Sequence, residues 1–167
     1  MPSTRAQQLI DTLGLQPHPE RGFYAETYRA SAVVRVANRE VDRQASTAIY
    51  FLITADEPAT FPHRLQSDEV FHLYEGGPLD VLRLAPDGSW DVARLGLDVA
   101  AGERPQIVIP AGTWFGTELA GSASHCLIGC TVAPGFEFGD FELADDADLA
   151  RRYPAAADRI GRLSRPR

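Results

Sequence analysis

The sequence predicts an all-β protein, a sandwich or barrel, and three observations predict it. From residue 33 onward, short apolar and aromatic runs recur at near-regular spacing, each with a strand's composition. Turn signals separate them: Ala55-Asp56-Glu57-Pro58, Gly76-Gly77-Pro78, Pro86-Asp87-Gly88, Ala101-Gly102, Pro110-Ala111-Gly112, Ala120-Gly121 and Pro134-Gly135. No long helical pattern interrupts the series, so sheet must pack on sheet. The expected strands cover 33–36, 47–54, 68–75, 79–84, 90–94, 106–109, 114–119, 124–132 and 137–143. Closing them into a barrel removes exposed edges and leaves an interior able to hold one small ligand.

Taken in order, the chain opens with a short amphipathic helix. Thr4 with Gln7 has capping-box spacing, Ser3 is the competing cap, and Ala6, Leu9, Ile10 and Leu13 fall on one face. Gly14 is a natural stop. Residues 15–24 follow as a stiff extended arm, because Pro17, Pro19 and Gly22 exclude a helix and a residue before proline favours extended backbone. This arm presents His18 and Glu20 either over a pocket or as an ordinary ordered loop. After the strands, residues 145–153 predict one more helix, stopped by Pro154. Residues 1–154 are read as a single domain and 155–167 as an Arg-rich, solvated tail.

Composition bounds the function. A chain of 167 residues can bury a real core, and no apolar run approaches a membrane span. The first fifteen residues carry no signal-peptide core, and the expected location is cytoplasmic. A net charge of −7 argues against nucleic acid as a partner. All sixteen basic residues are arginine, so a Schiff-base lysine is excluded. Cys126 and Cys130, four apart in one apolar run, would lie on one face of a strand about 13 Å apart, too far for a disulfide. Both are read as buried thiols, and His125 would point to the opposite face.

The chemistry concentrates in residues 61–76. His63, Arg64, Asp68, Glu69 and His72 lead into an apolar strand, where polar groups are costly unless paired. His63 is the first candidate for an acid or base. Glu69 is its candidate orienting partner, with Asp68 on the opposite face and anchoring structure. Arg64 suits a carboxylate or phosphate on a substrate, or else pairs with Asp68 or Glu69. Glu69 and His72, three apart, face opposite ways unless a bulge intervenes. Tyr50 and Trp114 suit an apolar pocket wall, and equally any β core. Glu137, Asp140 and Glu142 are candidates for the barrel mouth.

The same stretch resembles the first motif of the cupin superfamily, with His63, Glu69 and Gly76 in place and Leu65 where a second His is usual. Pro110-Ala111-Gly112 resembles the second motif, with Phe115 at its His position. Two of the four usual metal ligands are therefore missing. A narrower resemblance runs from about Leu9 to Pro154. His18-Pro19-Glu20-x-Gly22-Phe23-Tyr24, Ser46 to Leu52, His63-Arg64 with Ser67 to Val70 and His72, Gly102-Glu103-x-Pro105-Gln106, Pro110 to Trp114, and Val132 to Glu142 are similar to the fifth cupin family. One departure is Arg21, where that family usually has a second Gly. The resemblance implies a double-stranded β-helix (a cupin jelly-roll barrel) with short terminal helices, usually dimeric, and no settled reaction.

Three functions follow as expectations. The first is metal-independent proton transfer on a small polar metabolite, with His63 and Glu69 catalytic. Arg64, His72, Glu20, His18, Tyr50 and Trp114 would bind ligand, by analogy with the sugar-nucleotide epimerase branch of cupins. The second is a metabolite-binding module without turnover. The third is a metal-dependent isomerase or oxygenase, with His63, Glu69 and either His72 or His18 as ligands. No cofactor is expected under the first two. The expected partners are a small molecule and a second copy of the chain, with no membrane.

Overall fold

In a computed structural model, residues 3–164 are described, and they build two facing antiparallel sheets with helices on both outer sides. The first sheet runs β1 (Gln16–Pro17), β2 (Phe23–Arg29), β5 (Thr47–Thr54), β12 (His125–Ala133), β7 (Asp68–Gly76), β10 (Gln106–Ile109). The second runs β13 (Phe141–Leu143), β6 (His63–Leu65), β11 (Trp114–Leu119), β8 (Leu79–Leu84), β9 (Trp90–Leu95). A hairpin of β3 (Val33–Val36) and β4 (Val41–Gln44) stands beside them. This is the jelly roll expected from the sequence.

The core lies between the sheets. Phe51, Ile53, Phe71, Ile128, Cys126 and Cys130 point inward from the first sheet, and Leu79, Val81, Leu95 and Phe115 meet them from the second. Both cysteines are free and buried, and His125 bonds outside the core to Glu75 and Ser124. The outer faces are covered too. Helix α1 (Thr4–Leu13) is capped by Ser3, whose Oγ accepts from the Ala6 N–H, and it seats Ala6 and Leu9 on Leu52 and Leu127. Helices α2 (Asp146–Arg152) and α3 (Ala157–Leu163) cover Leu82, Leu84 and Trp114. Burial on both faces explains why β5 and β12 read as continuous apolar runs rather than alternating ones.

Three expectations change. Strand β2 went unread because its alternation breaks at a bulge between Glu26 and Tyr28, which places charged residues along what is otherwise a strand. The strand expected over 137–143 is instead a 3-10 turn, Phe138–Asp140, followed by β13. Asp140 is drawn out of sheet register by Arg43, at 2.8 Å, and Arg39, at 3.0 Å. The tail is not solvated through residue 164, since Ala156, Ile160 and Leu163 form a buried helical stripe. Gly116 permits this docking, because a Cβ there would stand 2.9 Å from Leu163. Arg165 and Arg167 lie outside the described residues.

Candidate active site

The site begins with the arm. Its turn is closed by the His18 N–H to the Gly22 carbonyl, 2.9 Å, and the Arg21 N–H to the His18 carbonyl, 3.0 Å. Closing it requires positive φ at two successive residues, 77° at Arg21 and 74° at Gly22. Gly22 is needed there for space as well, since a Cβ would come within 2.9 Å of the Leu52 carbonyl. Arg21 adopts the left-handed region at a cost, and its guanidinium lies 4.3 Å from the Phe61 ring centre, a contact that offsets part of it. The Phe61 N–H donates to the Glu20 carbonyl at 3.0 Å, tying the arm to the segment that carries His63.

That tie brings Glu20 to His63. Glu20 Oε2 lies 2.9 Å from His63 Nε2, and His63 is 3% exposed. The other ring nitrogen, Nδ1, lies 2.7 Å from the Phe61 carbonyl. A carbonyl only accepts, so Nδ1 carries a proton. A carboxyl oxygen opposite Nε2 then requires a second proton between Nε2 and Oε2. The pair is therefore an imidazolium–carboxylate or its neutral equivalent. Burial alone would lower the His63 pKa. The Glu20 charge and hydrogen bond, with the Phe61 carbonyl, outweigh burial and raise it.

His18 behaves oppositely. Its Nδ1 accepts from the Glu20 N–H at 3.3 Å, and burial lowers its pKa, as does the His63 charge, against the pull of Glu20. It is thus the neutral tautomer with a proton on Nε2, where no protein partner is found among the described residues. Tyr24, Phe51 and Phe141 meet its ring edge-on, and Phe138 stacks over it.

Glu69 sits on β7 facing inward, with the Cys130 thiol beside its carboxyl. Burial and the nearby Glu20 charge push its pKa up to about 8, against His63 and the thiol. It holds its proton at neutral pH. These groups line a cavity of about 160 Å³ inside the barrel, walled by Phe51, Phe71 and Ile128 and reaching Phe136 and Phe138 at the mouth. Arg29 also reaches the mouth, turned inward by the β2 bulge, beside Glu26 and Glu137.

The structure thus brings His63, Glu69, His18 and Glu20 together and leaves four expected ligand-binding residues elsewhere. Arg64 alternates outward from His63, pairs with Glu142 at 2.7 Å and lies over Trp114. Trp114 is buried under the C-terminal helices. His72 faces away from Glu69, against Gln106 and Thr131, because the bulge opposite β7 comes only after it. Tyr50 packs on Tyr74 on the α1 side. Asp68 anchors the Ala111 N–H at 2.8 Å. The orienting partner of His63 is Glu20, not Glu69. Sequence reasoning did not single out Arg29, Tyr24 or Cys130 for this wall, and only the strand register could have found them.

The metal of many cupins is not accommodated by these residues. Leu65 and Phe115 offer no donor at two of the usual positions, and both His63 nitrogens are engaged. No group of three or more His, Cys, Asp or Glu suited to a metal occurs among the described residues.

A two-sheet jelly roll with ionisable groups gathered on its inner wall is the architecture of the cupins. The chain belongs to the cupin superfamily, in the family described as Cupin superfamily (DUF985), whose model matches residues 7–144. It is 32% identical over 151 residues to the uncharacterized protein YML079W of Saccharomyces cerevisiae, covering 83% of this chain and 75% of that one. A hypothetical protein from Leishmania major superposes with a TM-score of 0.89 at 33% identity, covering 96% of this chain and 99% of that chain. Protein SO0799 from Shewanella oneidensis does so with 0.87 at 38%, covering 97% and 98%. A Bacillus subtilis oxalate decarboxylase mutant matches with a TM-score of 0.54 at 11% identity, covering 89% of this chain and 37% of that one, which reflects the fold alone.

Proposed function

We propose that this cupin is an acid–base enzyme that moves a proton on a small molecule held in the barrel. One observation carries the reading: two carboxyl groups on one cavity wall have different partners, His63 for Glu20 and an apolar, buried setting for Glu69. Glu20 shares a proton with His63, while Glu69 keeps its own up to about pH 8. A carboxyl paired with a histidine beside one that keeps its proton offers a base and an acid. In this reading Glu20 accepts the substrate's proton, His63 backs its charge, Glu69 donates and His18 Nε2–H orients. His63 becomes a positioning residue, because both of its nitrogens are engaged.

The test is solvent-deuterium incorporation into a mixture of small metabolites, followed by mass spectrometry. The wild type should label at least one component it binds. Glu20→Gln and Glu69→Gln should each slow that labelling by about 100-fold or more. Binding without labelling by the wild type would make the protein a binding module instead.

A further inference from the structure

The charges at the cavity specify what it can admit. Arg29 is the sole arginine or lysine on the described cavity wall. A guanidinium has five N–H donors. In Arg29 all five are taken: Nε by Glu26, Nη1 by Gln44 and Glu137, and Nη2 by Glu26 and the Phe136 carbonyl. Two carboxylates face this one cation at the mouth. Deeper in, the His63–Glu20 pair is neutral as a unit. An anion entering would meet no free cation and would lose its hydration beside Glu20. A cation would meet no free carboxylate, because Glu26 and Glu137 are bound to Arg29 and Glu20 to His63.

Size narrows the class further. The cavity measures about 160 Å³. A cavity of about 150 Å³ in another protein holds one benzene ring. A nucleotide therefore does not fit within the barrel, whereas a single ring or a short chain does. Its walls are aromatic and aliphatic, and its polar groups lie at the mouth and on the inner wall.

We infer that the substrate is an uncharged carbonyl compound of single-ring size, isomerised by a proton shift next to the carbonyl. This rests on the acid–base reading above. The step balances without a redox partner. Glu20 takes the proton from the carbon beside the carbonyl, and the C–H electron pair becomes the C=C bond. The C=O π pair takes the Glu69 proton, giving an enol. When the substrate carries a C=C at the β,γ position, this enol is a dienol. Return of the proton from Glu20 to its γ-carbon, with the enol O–H proton passing back to Glu69 as the C=O re-forms, yields the conjugated isomer and resets both groups.

The test uses cyclohexanone and cyclohexanecarboxylate, matched in ring and differing in charge. Binding is measured by ligand-observed NMR, and α-hydrogen exchange by the loss of ketone signals in D2O. The ketone should bind at least about 10-fold tighter than the carboxylate. Its α-hydrogens should exchange faster with wild type than with Glu20→Gln, whose folding is checked by thermal melting. Glu137→Ala frees one Arg29 donor, and it should raise carboxylate affinity by about 10-fold. Equal or tighter carboxylate binding by the wild type would overturn the uncharged class and leave the acid–base reading standing. Ketone binding without catalysed exchange would overturn the proton shift and leave the charge preference standing. Binding of neither probe would overturn both.

Discussion

Two acceptors flank the His63 ring, and the histidine is fully protonated only while both are served. Glu69, beside it, is held protonated by burial. In the unfolded chain its carboxyl titrates near 4.5, and in the fold near 8. Between those values the folded chain holds the extra proton, so stability falls as pH rises across this window and levels off above it. The slope is at most about 1.4 kcal/mol per pH unit. His63, also raised, acts with the same sign above its ordinary value of 6.5. Glu69→Gln should therefore melt close to wild type at pH 5 and above it at pH 8.5. A variant less stable than wild type at pH 8.5 would refute the buried, protonated carboxyl. In the acid–base reading, activity should fall above about pH 8, as Glu69 loses its proton. Arg21 offers a second test at this scale. Glycine in its place should exceed alanine by about 1 kcal/mol in urea melts, because only alanine keeps the positive-φ strain without the Phe61 contact.

Among the elements, α3 matters most for stability outside the barrel. Ile160, 1% exposed, packs in one cluster with Leu82, Leu84 and Trp114. Ile160→Ala should cost about 2–4 kcal/mol, with the cavity chemistry unchanged. This helix was hidden in the sequence by its arginines, which drew attention from the apolar spacing 156, 160, 163. Strands 33–36, 47–54, 79–84, 106–109 and 114–119 were legible to the residue, because turn signals bound each one. Strand β2 was not, since a bulge re-aims its side chains and mixes the pattern. At the site, the clustering of His63 with Glu69 was readable from composition. The pairing of His63 with Glu20 joins segments 43 residues apart through one backbone hydrogen bond, and no local pattern encodes that. Arg64, His72, Tyr50 and Trp114 were misplaced for one shared reason: membership of a strand does not say which of its two faces looks inward.

For the whole molecule, the helices on both flanks leave the barrel interior as the place where ionisable groups are shielded from water. Chemistry there should depend on the chain's own carboxyls. Dialysis against EDTA should leave the melting temperature within about 1 °C, since a metal bound to the native state would raise it. A larger drop, restored by one divalent ion, would return attention to a metal centre.

The backbone link from Phe61 to Glu20 also makes a built-in reporter. The Phe61 amide is shielded only while the arm lies against the barrel. Its hydrogen-exchange rate therefore clocks how often the base and its histidine come apart. If ligand enters by displacing the arm, the Phe61, His18 and Arg21 amides will exchange together as one unit, and all three will slow when the cavity is filled.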